Sequence, residues 1–106
     1  ISIKFGSDSF EIDATFEEQL AEAFRIIDAN SDAKIIIEGH ADSTGNDQIN
    51  IPLSELRASQ VLDYLIKAGI SPERLSIVGY GSSQPIGDNN TDDGRAQNRR
   101  VDFTVE

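Results

Sequence analysis

The 106-residue chain contains no cysteine, which excludes a disulfide frame, a thiolate metal site and a thiol nucleophile. Proline is scarce, at three residues, and no low-complexity run occurs. With 38% apolar and 26% charged residues, this argues for a folded module over a disordered tail. Basic residues are also few, nine against nineteen acids, and the net charge of −10 repels nucleic-acid phosphates and anionic lipid. Neither is an expected partner, and the surplus charge is accounted for by solubility. No apolar run approaches the length of a membrane-spanning helix, so no direct membrane contact is expected of this chain. It opens on Ile1 with no signal-peptide pattern and is expected to be part of a longer protein. Its length suits one domain with one core, residues 1–106.

What is present is periodic. Ile1, Ile3 and Phe5 alternate with Ser2 and Lys4 as in a half-buried strand that Gly6 to Ser9 break. Thr15 and Glu18 have the spacing of a capping box, and Phe16, Leu20, Phe24 and Ile27 follow as one helical stripe, predicting a helix to about Asp28. After a turn at Asn30-Ser31-Asp32, Lys34 to Ala41 reads as a second strand, central or covered on both sides. A polar loop from Asp42 leads to a second helix, capped by Asn50 with Pro52 in its first turn, or capped by Ser54. Ala58, Val61, Leu62 and Leu65 are its apolar face, and Gly69 and Pro72 end it.

Leu75 to Val78 is the third strand, and Val101, Phe103 and Val105 mark a fourth with one wet side. The intervening stretch is too long to lack structure, so a short helix is expected over Asp92 to Asn98. The order β-α-β-α-β, loop, β predicts an α+β fold. It is a two-layer α/β sandwich in which right-handed crossovers between parallel neighbours put both long helices on one face of a four-stranded sheet.

Within this frame one acid and one base stand out, fifteen residues apart. Asp42 follows the second strand at the mouth of its loop, and Arg57 lies near the start of the second helix. If Ser54 is the cap, Arg57 occupies the first turn, where the macrodipole disfavours a cation by up to about 1 kcal/mol. An anion would offset that: Asp42 itself, or a ligand carboxylate gripped by the planar fork of arginine. Spacing alone also fits an ordinary solvated arginine and a loop aspartate. The sharper reading is a pocket for a small zwitterion, with Asp42 accepting from an ammonium and Arg57 clamping a carboxylate.

Other constellations are weaker. His40, Asp42 and Ser54 invite comparison with a catalytic triad, but no Gly-x-Ser-x-Gly elbow is present, and a packed, hydrogen-bonded His40 is the better reading. Asp88 to Gly94 superficially imitates a calcium loop. Its sixth position is Asp93 instead of glycine and its twelfth Arg99 instead of glutamate, so a solvated turn is expected and no metal. Gly79-Tyr80-Gly81 has too few glycines for a phosphate fingerprint. No cofactor is expected, and the chain is read as a non-enzyme.

Gly39-His40-Ala41-Asp42, Gly45, Asn50, Leu53-Ser54, Arg57-Ala58, Val61, Tyr64-Leu65 and Gly69 together resemble the peptidoglycan-binding OmpA-like domain found in OmpA, Pal and MotB. Gly79, Gly81, Pro85, Asn89 or Asn90, Thr91, Gly94-Arg95 and Asn98-Arg99-Arg100-Val101 are similar to that family's closing signature, so the resemblance covers nearly the whole chain. It implies a mixed sheet of order 1-4-2-3. It also implies non-covalent binding of peptidoglycan stem peptides through diaminopimelate, whose side chain ends in an ammonium and a carboxylate. By motif position the binding acid falls on Asp42 and the guanidinium on Arg57, with supporting contacts from Asn50, the backbone at Ala41, Arg99 and Asp8. Ala41 departs from the family's usual threonine and Gly6 from its frequent aspartate. The expected setting is the periplasm of a Gram-negative cell, in an outer-membrane or envelope-anchored protein, with other envelope proteins or a second copy as further candidate partners.

Overall fold

The computed structural model describes residues 2–6, 9, 16–30 and 32–106. Its elements are β1 (Ile3–Lys4), α1 (Glu17–Ala29), β2 (Ile35–Gly39), α2 (Asp47–Ala68), β3 (Leu75–Gly79), α3 (Asp92–Asn98) and β4 (Arg100–Val105), with one turn of 3-10 helix at Pro72–Arg74. The four strands form one mixed sheet in the order β1-β4-β2-β3. β2 and β3 run parallel across the α2 crossover, as the connection rule predicts. β1 and β2 are not neighbours, because β4 inserts between them antiparallel to both. The sheet order thus agrees with the family resemblance, whereas the connection rule predicted the neighbour of β1 wrongly.

The two-residue period divides the sheet into two faces. Ile3, Ile35, Ile37 and Val101 turn inward and are buried, joined by Leu20 and Ile27 of α1 and by Ala58, Val61 and Leu65 of α2. Phe16 and Phe24 pack on this core. The opposite face of β2, Ile36 and Glu38, is only half-buried, so β2 is central but not covered on both sides. Along β4 the apolar face runs out from buried Val101 to exposed Val105.

Helix ends follow local chemistry. α1 begins with Glu17 and Glu18 in its first turn, where their charges favour the dipole, while Thr15 lies outside the described residues. At its other end the Arg74 guanidinium donates to the carbonyls of Ile27, Asn30 and Ala33. A cation here satisfies orphan acceptors and complements the dipole at once. α2 ends in a Schellman pair, Gly69 N–H donating to Ile66 and Ile70 N–H to Leu65, with Gly69 at φ 120°. α3 spans Asp92–Asn98 as expected, and the Thr91 hydroxyl accepts from the Gly94 amide.

The start of α2 corrects the sequence reading. It begins at Asp47 after an extended Asn46, whose carbonyl accepts from the Ile49 and Asn50 amides. Asn50 and Ser54 therefore both lie inside the helix, and Pro52 is an interior proline without an N–H to give the preceding turn. Arg57 is three turns in, so the macrodipole argument for an anionic partner does not apply to it.

Candidate functional site

The carboxyl ends of the parallel strands meet the start of α2 at one end of the sheet, the usual position for a site in an α/β layer. Past β2 the ladder continues: His40 N–H donates to Arg100, Tyr80 N–H to Gly39, and Ala41 N–H to Gly81. These bonds carry Asp42 out on a rigid extension of the strand. The Ala41 amide, a predicted contact, is therefore committed to Gly81 at 2.9 Å.

Asp42 is 7% exposed. Its Oδ1 accepts from the Thr44 amide at 2.8 Å, closing an Asx turn, and its Oδ2 accepts from Arg99 Nη1 at 3.0 Å. Burial pushes the Asp42 carboxyl up, but the Thr44 amide and the Arg99 guanidinium together outweigh it, so its pKa lies below the ordinary carboxylate value. The group is ionised throughout the physiological range.

Arg57 is fully buried. Its Nε, Nη1 and Nη2 donate to the carbonyls of Ser9, His40 and Gly6 at 2.8, 3.0 and 3.0 Å, and its guanidinium lies 5.5 Å from the Phe5 ring centroid. The acid's ion pair is thus with Arg99, not Arg57, although Arg57 grips the backbone two residues before Asp42. Arg99 enters beside it, Nε donating to the Phe5 carbonyl at 3.0 Å. Two guanidiniums therefore hold the consecutive carbonyls of Phe5 and Gly6, and one of them, Arg99, pairs with the Asp42 carboxylate. Asn50 is 3% exposed, lies against Gly45 of the 42–46 loop, and its carboxamide makes no hydrogen bond among the described residues. Asp8 lies outside the described residues.

Sequence reasoning missed the groups that hold this end together. Asn98 is fully buried; its Oδ1 accepts from the Ile86 and Gly87 amides, and its Nδ2 donates to Gly87 and to Asn89 Oδ1. Asn89 Oδ1 also accepts from the Ser43 amide, which ties the long connection to the loop after Asp42. On the open sheet face Arg100 Nε donates to Asp102 at 2.8 Å. Arg100 and Asp102 are two apart on a strand, so their pairing was legible as a period-two signal.

His40 belongs to that open-face cluster and not to a triad. Its ring stacks on Tyr80 with centroids 5.3 Å apart, and Nε2 lies 3.6 Å from Asp102. Nδ1 is buried without a hydrogen-bond partner among the described residues, and Nε2 reaches Asp102 only at ion-pair distance, so the ring is packed as expected but not hydrogen-bonded to the described residues. Ser54 Oγ donates to the Ile51 carbonyl and accepts from the Gly81 amide, so it faces neither His40 nor Asp42. Burial, reinforced by Arg100 and only partly opposed by Asp102 and Glu38, lowers the His40 pKa below 6.5. The unfolded chain therefore takes up a proton near pH 6.5 that the folded domain refuses until lower pH. This costs nothing above that value and erodes stability as the pH falls through the folded pKa. The melting temperature of wild type should decline from pH 7 to 5 more steeply than that of His40→Gln. Asp42 and Asp102, both lowered, titrate below this window. Equal slopes would clear His40 as the cause.

A two-layer α+β domain built on a four-stranded mixed sheet is what comparison with known proteins also returns. The family model described as the OmpA family matches residues 4–99. The peptidoglycan-binding protein ArfA of Mycobacterium tuberculosis is 42% identical over 103 residues, 97% of this chain, which spans 32% of that protein's length. The crystal structure of the peptidoglycan-associated lipoprotein from Burkholderia pseudomallei superposes with a TM-score of 0.92 at 25% identity, covering 99% of this chain and 89% of that one. The C-terminal domain of Helicobacter pylori MotB gives 0.92 at 27% identity, covering 100% and 84%. The chain belongs to the OmpA family.

Proposed function

We propose that this domain binds peptidoglycan non-covalently, taking the diaminopimelate headgroup of a stem peptide and so anchoring its parent protein to the cell wall in the periplasm. The observation that carries this reading is the meeting of opposite charges at the site: ionised Asp42, with Arg99 at 3.0 Å and Arg57 on the carbonyl of His40 two residues earlier. An amino-acid headgroup presents the complementary pair. Asn50, buried and with a carboxamide that makes no hydrogen bond among the described residues, adds a donor and an acceptor. The printed name of the mycobacterial relative, a peptidoglycan-binding protein, supports the same reading. Tethering without turnover fits a site where His40, Asp42 and Ser54 each bond elsewhere.

One site of a few charge-assisted bonds should bind a soluble muropeptide only in the micromolar to millimolar range and act through the density of stem peptides in the wall. Asp42→Asn should weaken a diaminopimelate-containing muropeptide about tenfold to a hundredfold, the worth of one charge-assisted bond. Isothermal titration checks this, and equal affinity in the two proteins would remove Asp42 from the site. A second reading, an envelope interaction module without wall binding, draws on the internal satisfaction of Arg57 by three carbonyls. It takes over if wild type binds no muropeptide.

A further inference from the structure

We propose that the outer edge of β3 is a docking edge for another polypeptide, an extended segment that carries basic residues and pairs with it as a fifth strand of the sheet. This surface lies apart from the Asp42 site, and the inference does not depend on what that site binds.

β3 ends the sheet order and, among the described residues, pairs only with β2. In a parallel ladder alternate residues turn both backbone groups toward the same neighbour. Tyr80 N–H donates to Gly39 of β2, so Val78 and Ser76 also face β2, while Leu75, Ile77 and Gly79 face outward. The Leu75 N–H closes the 3-10 turn on the Pro72 carbonyl. The Leu75 carbonyl and both backbone groups of Ile77 and Gly79 have no backbone partner among the described residues. They form a row of donors and acceptors at strand spacing, which an added strand completes.

The side chains do not guard this row. Sheet edges are usually blunted by brevity, lysine, proline or a covering segment. The opposite edge conforms, since β1 has two residues and one of them is Lys4. β3 is Leu-Ser-Ile-Val-Gly, five residues with no charge and no proline, and Ile77 at its centre is 38% exposed.

Charge decides the occupant. Between Asp47 and Ile66 the one base is Arg57, which is fully buried, and from Leu75 to Gly94 there is none. Glu55, whose Cγ lies against Gly79, and Glu73, in the turn before Leu75, are both exposed and stand near opposite ends of the strand. A second copy paired antiparallel about Ile77 would set Leu75 opposite Gly79 and bring each copy's Glu73 toward the other's Glu55. Such like-charge opposition, on chains of net charge −10, argues against self-pairing. A segment with a lysine or arginine near each end meets an acid at both.

The probe is the end-capped peptide Lys-Thr-Val-Ser-Val-Thr-Lys, titrated into the 106-residue chain and followed by amide NMR. The Ile77 and Gly79 amides should shift and exchange about tenfold or more slowly at saturation, while Ser76 and Val78, already bonded to β2, change little. Glutamate in place of both lysines should weaken binding about tenfold or more at low salt. A peptide N-methylated at both valines and the serine keeps its charges but cannot pair, and should not bind. Ile77→Lys should weaken the lysine peptide about tenfold or more with an unchanged circular dichroism spectrum. If that variant does not fold, the methylated peptide and Glu55→Gln with Glu73→Gln decide, the latter weakening the lysine peptide about threefold or more. Equal binding of the methylated or the glutamate peptide overturns the proposal. So do unchanged affinity in the variants, shifts centred away from β3, or no binding at millimolar peptide. Protection of Ile77 and Gly79 without peptide, in a chain that sediments as a dimer, would make a second copy the occupant and overturn it equally.

Discussion

Arg57→Ala is expected to lose about 4 kcal/mol of stability and to melt about 15 °C or more below wild type, before any question of ligand arises. The guanidinium is the shared donor for Ser9, His40 and Gly6, which lie on the chain after β1 and after β2. Alanine leaves those acceptors without the donor they share and opens a void beneath Phe5, whose ring the cation covers. Each charge-assisted bond of this kind contributes about 1.5–3 kcal/mol, and the buried His40 carbonyl, deprived of this donor, adds its own cost. Against a typical total of about 5–15 kcal/mol, that is a large share. Arg57→Lys should recover only part, since one ammonium cannot span the positions a planar fork reaches.

The consequence is functional as well as energetic. Loss of muropeptide binding in Arg57→Ala would not by itself identify a ligand contact, because the frame that presents Asp42 goes with it. Thermal denaturation separates the cases. A variant that melts within a few degrees of wild type would show that the carbonyls do not depend on Arg57, and would return the guanidinium to the role of a ligand clamp.

Periodicity carried the sequence reading of the fold, and it failed where tertiary contacts decide. The stripe Leu20, Phe24, Ile27 and the alternation of Ile35 and Ile37 are repeats imposed by burial, so they are visible in one dimension. The insertion of β4 between β1 and β2 leaves no local trace, and only the family resemblance pointed to it. Pro52 misled because a proline in a first turn and a proline tolerated inside a well-packed helix look alike in sequence. The acid and the base of the candidate site were legible as residue types, but not the direction of their side chains. Spacing suited Asp42 and Arg57 to one another, while the ion pair went to Arg99, at the end of α3 and far along the chain. The Asn98 network went unnoticed for a related reason: its partners are mostly backbone groups, which every residue possesses.

Gly39→Ala should be among the most damaging single-methyl changes in the domain, destabilising it by about 3 kcal/mol or more, above most of the range for overpacked cores. An added Cβ would stand 1.8 Å from the Ser54 carbonyl oxygen and 2.7 Å from its carbon. Both are backbone atoms in the middle of α2, so no rotamer change relieves the clash, and strand and helix must part. Gly79, paired with Gly39 in the parallel register, meets the same helix at Ser54 and Glu55, which makes the close seat of α2 a property of two adjacent glycines. Separation there would displace Arg57 from the His40 carbonyl one residue beyond Gly39, and with it the frame that carries Asp42. Any folded remainder of Gly39→Ala should therefore bind muropeptide more weakly than wild type. Gly6→Ala, whose new methyl would meet nothing nearer than 3.8 Å, serves as the control and should melt within a few degrees of wild type. Equal melting temperatures for Gly39→Ala and wild type would mean that α2 does not sit on β2 at this distance, and that the strand–helix contact is not what fixes the geometry of the site.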